Sequence, residues 1–316
     1  MRTSRTRRGA VLVMAMVAAS ITSACAVGVE STSGTASAPK AEDRAGAPRT
    51  TGFPSAVTTA CQAGASPTID EIRKRGELRW GIGVSPPFGF KQPDGSWGGV
   101  EADNAQELAA ILGVRPVIQD YDYSLMTVAL QSKKADIVGA QLFITPERAK
   151  AMDFSTPYYL SGQLFYVRAD SSFQTIDDMN KAGVRFVYGT GGGQGPLAEK
   201  YIPKAGVSDA PLRGQLLLYE FLASGQADVS MVEAAPMAVL LKKYRSPALA
   251  AIGLKGRVTG DKARKDEIID PFKVAFGLGK TDPGWRTCVD AWVEDATTSG
   301  RMDQRIDYWL AQNIAG

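Results

Sequence analysis

Thr145-Pro-Glu-Arg148 has the form of a helix start, with threonine as N-cap, proline at the first helical position and glutamate facing the positive end of the dipole. Arg148 runs against that logic, because a cation in the first turn opposes the dipole. It fits there if it binds an anion beside the free N–H groups; otherwise it points to solvent. Glu233 ends the strand-like run Val229-Ser-Met-Val-Glu233, and ligands sit at the C-terminal ends of strands in open α/β sheets. It can receive a cation or pair with a neighbouring lysine. The run Val184–Tyr188 leads into Gly189-Thr-Gly-Gly-Gly-Gln-Gly195, which either aims backbone N–H groups at an anion or is a loose loop. It has neither the Lys-Ser/Thr of a P-loop nor the spacing of a dinucleotide fingerprint, so nucleotide binding is not expected. Phe88, Phe90, Tyr121, Tyr123, Phe143 and Tyr188 lie near element ends, and each alone reads as a packing residue.

The 316 residues contain no histidine. That excludes Ser-His-Asp and Cys-His catalysis and every metal site that needs imidazole, leaving carboxylate, lysine and tyrosine chemistry. No metal or other cofactor is expected. The formal charge of +3 comes from the first 25 residues, which carry four arginines and no acid; beyond them 32 basic residues face 33 acidic ones. Nucleic acid is therefore not an expected partner.

Arg2, Arg5, Arg7 and Arg8 precede the apolar run Ala10–Ala19, and Thr22-Ser-Ala-Cys25 follows. Residues 1–25 read as an export signal. Small residues before Cys25 resemble a bacterial lipobox, which implies lipidation of Cys25 and anchoring to the outer face of the cell membrane. Thr22 departs from the leucine usual in that pattern. Residues 26–65 begin with a long Ser/Thr/Ala/Gly/Pro-rich stretch without apolar periodicity and are expected to form a disordered tether. With Cys25 set aside, Cys61 and Cys288 form an even pair in an oxidising compartment and are expected to make a disulfide.

Elements that could position the charged residues follow. Glu77–Val84 reads as a strand, Ala105, Leu108, Ala109 and Leu112 mark one face of a helix ended by Gly113, and Ala135–Gly139 reads as a buried strand. The alternation indicates an α/β fold. Leu130-Gln-Ser-Lys-Lys-Ala-Asp-Ile137 matches Leu222-Ala-Ser-Gly-Gln-Ala-Asp-Val229 at an offset of 92 residues, suggesting two similar lobes. Asp136 and Asp228 read as residues that satisfy turn backbone.

Together these segments resemble the extracellular solute-binding proteins of amino-acid ABC transporters, the polar amino acid (family 3) group. The likeness runs from about Leu78 to Trp309 through Pro86-Pro-Phe-Gly-Phe90, Gly99–Ala109, Ile144–Arg148, Asp153-Phe-Ser-Thr-Pro-Tyr158 and Phe272–Gly277. It implies a two-lobed, periplasmic-binding-protein-like (type II) α/β fold with two hinge strands and a ligand cleft between the lobes. The expected division is 66–164 for the first part of lobe 1, 165–267 for lobe 2, and 268–316 for the return to lobe 1. By position, Arg148 would bind a ligand α-carboxylate with Thr190 and the N–H groups near Gly189, Glu233 the α-ammonium, and Tyr123 and Phe88 would pack on the ligand. Gln141 and Phe143 also line the expected site, in place of a small residue and a small hydroxyl residue.

The implied function is capture of a polar amino acid, such as glutamine, glutamate or a basic one, and delivery to ABC permease subunits that work with a cytoplasmic ATPase. The protein is expected to be a monomer and not an enzyme. Two alternatives share the fold. One is a cyclohexadienyl or arogenate dehydratase with Glu233 as a buried general acid; the other is a ligand-sensing module.

Overall fold

The computed structural model describes residues 44–189, 194–210, 215–243, 248–259, 266–312 and 314. Eight strands form the path that organises it: β1 (Glu77–Ile82), β2 (Arg115–Asp120), β3 (Ile137–Phe143), β4 (Tyr159–Arg168), β5 (Arg185–Gly189), β6 (Gly206–Ala210), β7 (Val229–Glu233) and β8 (Ile269–Leu278). Their order is β2-β1-β3-β8-β4-β7-β5-β6. On one side β2, β1 and β3 run parallel and β8 closes them antiparallel; on the other β6, β5 and β7 run parallel and β4 closes them antiparallel. The two ten-residue strands β4 and β8 pair with each other at the centre, so the chain crosses between two lobes twice. This is the two-lobed α/β architecture that the sequence led us to expect.

Burial follows strand alternation. In β4, Leu164 and Tyr166 enter one apolar cluster with Val187, Leu222 and Met237, while Phe165 and Val167 enter another with Phe186, Met231 and Ile252. The sheet of lobe 2 is therefore covered on both faces, which is why its strands lack an alternating polar side. Lobe 1 repeats the plan, with Trp80, Phe276, Trp285 and Trp292 on one face and Met126, Val138, Leu142 and Ala275 on the other. The lobes also touch away from the hinge, where Val239 of helix Ala234–Lys243 packs with Phe90 and Ile314.

The 92-residue repeat has a structural counterpart. Asp136 accepts from the Arg79 backbone N–H at 2.8 Å and Asp228 from that of Arg185 at 2.9 Å. In return the Asp136 and Asp228 N–H groups donate to the carbonyls of Arg79 and Arg185. Both aspartates thus fasten a strand start to its neighbour, the backbone role read from sequence.

Helix Val100–Leu112 buries Ala105, Leu108, Ala109 and Leu112, and Gly113 ends it at φ +68°, a left-handed C-cap. Its polar residues are buried as well, because arginines cover them. Glu107 accepts from Arg301 and Arg305, and Asp103 from Trp309 and Arg44.

The expected tether to residue 65 needs correction from Arg44 onward. The Arg44 guanidinium pairs with Asp103 and lies 4.2 Å from the Tyr308 ring centroid. The Gly46 carbonyl accepts from Arg305 Nε at 2.9 Å, and the Arg49 N–H donates to Glu107 at 3.0 Å. Helix Ser55–Ala60 then buries Val57, and Cys61 is disulfide-bonded to Cys288, with Cα atoms 4.7 Å apart. Composition misled because this segment is held by its backbone and two arginines rather than by an apolar stripe. Cys25 and the export signal lie outside the described residues. Among the described residues no helix is long and apolar enough to cross a membrane.

Candidate functional site

Arg148 sits where its sequence context implied. Thr145 caps helix Pro146–Ala151 by accepting the Arg148 N–H at 3.3 Å, and Pro146 occupies the first position. The side chain folds back, donating from Nη1 to the Phe143 carbonyl at 3.1 Å, with its guanidinium carbon 5.9 Å from the Phe143 ring centroid. Partial burial draws its pKa below the ordinary arginine value, and no carboxylate pairs with it among the described residues. A half-buried guanidinium that gives one hydrogen bond among the described residues is suited to a planar anion such as a carboxylate.

Glu233 ends β7 and is buried, opposite Gln163 in the register with β4. Its Oε1 accepts from Ser161 Oγ and, at 3.0 Å, from Gln141 Nε2. Burial pushes the carboxyl up to about 7, against the pull of the Ser161 hydrogen bond. No cation pairs with it among the described residues. Its charge instead falls on phenols: together with burial it helps to hold Tyr158, Tyr159 and Tyr166 above their ordinary range.

Tyr123 links the two charges. Its ring covers Gly83, where an added Cβ would meet Cζ at 3.0 Å. The residue as a whole is 44% exposed, yet burial desolvates its hydroxyl. Desolvation there raises its pKa, with Glu233 adding to the rise and Arg148 opposing it. One phenol therefore feels both the acid and the cation of the cleft.

Gln141 reaches this cleft by unusual backbone. It lies at φ +50° within β3, at a register irregularity where the pairs Leu142↔Ala275 and Val138↔Gly277 enclose three residues of β3 against one of β8. A non-glycine residue in that region costs on the order of 1–3 kcal/mol and persists only where the surroundings fix it. Its Oε1 accepts from Ser85 Oγ at 3.1 Å. Phe143, next but one, packs its ring against Phe272 at 3.9 Å between centroids.

One expected contact changes. Phe88 is a core residue at 1% exposure, 5.7 Å from the Tyr159 ring, and offers no open face to a ligand. Gly189 ends β5 opposite Ala210, half-buried, but Thr190 lies outside the described residues. Sequence reasoning missed Ser161, Ser85 and Glu101. Single serines, one on a strand and one in the loop after β1, carry no signal. Glu101 lies within a segment that drew attention, and its burial beside Tyr158 and Asn104 pushes it up to about 7. No group of three or more His, Cys, Asp or Glu residues suited to a metal occurs among the described residues.

Arg148 and Glu233, neither ion-paired among the described residues, thus lie in the common surroundings of Tyr123. The model of the bacterial extracellular solute-binding proteins, family 3, matches residues 78–312. The chain belongs to this family. Among its relatives, the L-cystine-binding protein TcyJ of Escherichia coli strain K12 is 32% identical over 253 residues, 78% of this chain and 87% of that protein. Cyclohexadienyl dehydratase of Pseudomonas aeruginosa is 25% identical over 245 residues, 77% of this chain and 85% of the enzyme. A solved structure of an ancestral cationic amino acid solute-binding protein superposes with a TM-score of 0.64 at 29% identity, covering 77% of this chain and 99% of its own. A second, at 0.61 and 29% over the same shares, is described as an ancestral amino acid-binding protein and a precursor of cyclohexadienyl dehydratase. Family 3 thus includes both binders and an enzyme among the relatives of this chain, and its members are extracellular.

Proposed function

We propose that the protein captures an α-amino acid between its lobes, as the substrate-binding subunit of an ABC importer, anchored outside the cell membrane through Cys25 and acting as a monomer. Lobe 1 comprises residues 66–164 and 268–316 in this reading, and lobe 2 residues 165–267. The observation that carries it is the pair Arg148 and Glu233, each without a partner of opposite charge among the described residues and both acting on Tyr123. Arg148 takes the α-carboxylate and Glu233 the α-ammonium, with Gly189 and Thr190 offering further donors. The relatives that bind cystine and cationic amino acids support this substrate class.

A thermal-shift screen over the proteinogenic amino acids and cystine tests it. A ligand at a hundred times its Kd stabilises by about 2.7 kcal/mol, raising Tm by several degrees. No shift with any α-amino acid would sink this reading.

One observation favours a second reading. Glu233 is buried with a pKa of about 7, so near neutrality it carries a proton part of the time, as a general acid must. A dehydratase acting on a prephenate-like acid would use Arg148 to hold a carboxylate and Glu233 to protonate the leaving hydroxyl. Incubation with prephenate or arogenate, watching for an aromatic product, separates this reading from capture alone.

A further inference from the structure

We propose that Gln141 is a positioning residue, reaching out of lobe 1 to set the orientation in which Glu233 of lobe 2 meets the ligand. This rests on the reading that Glu233 receives the ligand's charged nitrogen.

Three observations converge on Gln141. Its backbone occupies a left-handed conformation in the middle of a buried strand, at an irregularity that turns the side chain into the cleft. Its side-chain oxygen accepts from Ser85 Oγ, so the carboxamide is held from lobe 1 before its nitrogen meets the other lobe. Its Nε2 then donates to one oxygen of Glu233, the oxygen that Ser161 Oγ also reaches. Two donors thus hold Oε1, while no described residue bonds Oε2. A carboxyl anchored through one oxygen presents the other in a defined direction.

The arrangement has a conformational consequence. Ser85 and Gln141 belong to lobe 1, Glu233 to lobe 2, and Ser161 to the hinge strand β4. The chain Ser85–Gln141–Glu233 is complete only while the lobes are together. With the lobes apart Glu233 keeps Ser161 alone and is free to rotate. Closure therefore orients the acid at the moment the ligand is enclosed. The groups facing Glu233 from the packed elements are Gln141, Ser161 and the phenols of Tyr123, Tyr158, Tyr159 and Tyr166, with Gln163 opposite it in the strand pair. None is a cation, so these hydrogen bonds do the orienting that an ion pair would otherwise supply.

The test compares wild type with Gln141→Gly, which suits a positive φ, and with Ser85→Ala, which keeps the glutamine but frees its oxygen. The amino acid that gives wild type its largest thermal shift is titrated by calorimetry across pH 6–9, and Glu233 is titrated by carbon NMR in the complex with that amino acid, where the lobes are together. The expected result for Gln141→Gly is an affinity loss of about tenfold or more and a Glu233 midpoint moved upward, since a donor to the carboxylate has gone. Ser85→Ala gives the same changes in smaller measure, and it stands in should Gln141→Gly fail to fold. Equal affinity together with an unmoved Glu233 midpoint overturns the positioning role while leaving the binding reading intact. A wild type that binds no amino acid defeats both, and the two failures are thereby told apart.

Discussion

Gln141 and Glu233 hold the same place in the two halves of the internal repeat, 92 residues apart, and meet across the cleft at 3.0 Å. The repeat therefore supplies both partners of the contact between lobes. One copy ends in an amide on bulged backbone, the other in an acid on regular strand.

The acid gives the protein a pH signature. In the folded state burial raises the carboxyls of Glu233 and Glu101 from the ordinary value of 4.5 to about 7. Between those values the folded state binds more protons than the unfolded one, so their contribution to stability is full below about pH 4.5 and lost as pH rises through 7. Ligand-free Glu233→Gln should show a shallower decline of Tm between pH 5 and 7.5 than wild type. Differential scanning calorimetry of the two proteins checks it, and parallel curves would remove Glu233 as the source.

Binding should move the other way. A ligand ammonium requires the ionised form of Glu233, so affinity should fall on acidification below about pH 7, by up to tenfold per pH unit. A ligand taken up by the protonated acid, as in the dehydratase reading, should not weaken there. Calorimetric titration at pH 5.5 and 7.5 distinguishes them.

Arg148→Ala should cost about 2–5 kcal/mol of binding, because the ligand carboxylate would be left buried and unpaired. Arg148→Lys should recover only part of it, since a single ammonium cannot reproduce the planar fork of donors. Unchanged Kd for Arg148→Ala would remove Arg148 from the site.

The segment before the first strand should matter for stability although it touches no ligand. Removing residues 1–50 strips Glu107 of the Arg49 N–H, Asp103 of Arg44 and Arg305 of the Gly46 carbonyl. Leaving buried charges short of partners costs several kcal/mol, up to about 3–5 for a broken buried pair. Gly46→Ala is a finer probe, since its Cβ would meet the Arg305 backbone nitrogen at 2.2 Å and the residue stands at φ +71°. Both variants should melt well below wild type by circular dichroism.

Cys61→Ser should lower stability by about 2–5 kcal/mol, as for native disulfides generally, and the same loss should follow reduction. Urea unfolding with and without dithiothreitol measures it.

Much of this was legible in the chain. Arg148 announced itself by opposing the dipole of its own helix, and Glu233 by ending a strand. Asp136 and Asp228 were found by spacing alone. The errors have physical reasons. Phe88 was expected on the ligand because its segment Pro86–Phe90 resembles a binding loop of the family, yet its ring is buried beside Tyr159. The strap at Arg44–Arg49 stayed hidden because its partners, Glu107, Asp295 and Arg305, lie 58 to 259 residues away. Gln141 looked out of place in sequence because its direction is set by a register irregularity that no local pattern encodes.

The disulfide joins Cys61, ahead of β1, to Cys288 in helix Pro283–Thr298, so both ends of the folded chain are tied into lobe 1. Lobe 2 is then a guest, spliced into its host by the two strands β4 and β8. A fluorophore on Ser55 or Gln312, both in segments of the host, rides with it and by itself is blind to the proposed closure. To see the jaw move, one label must be planted on the guest.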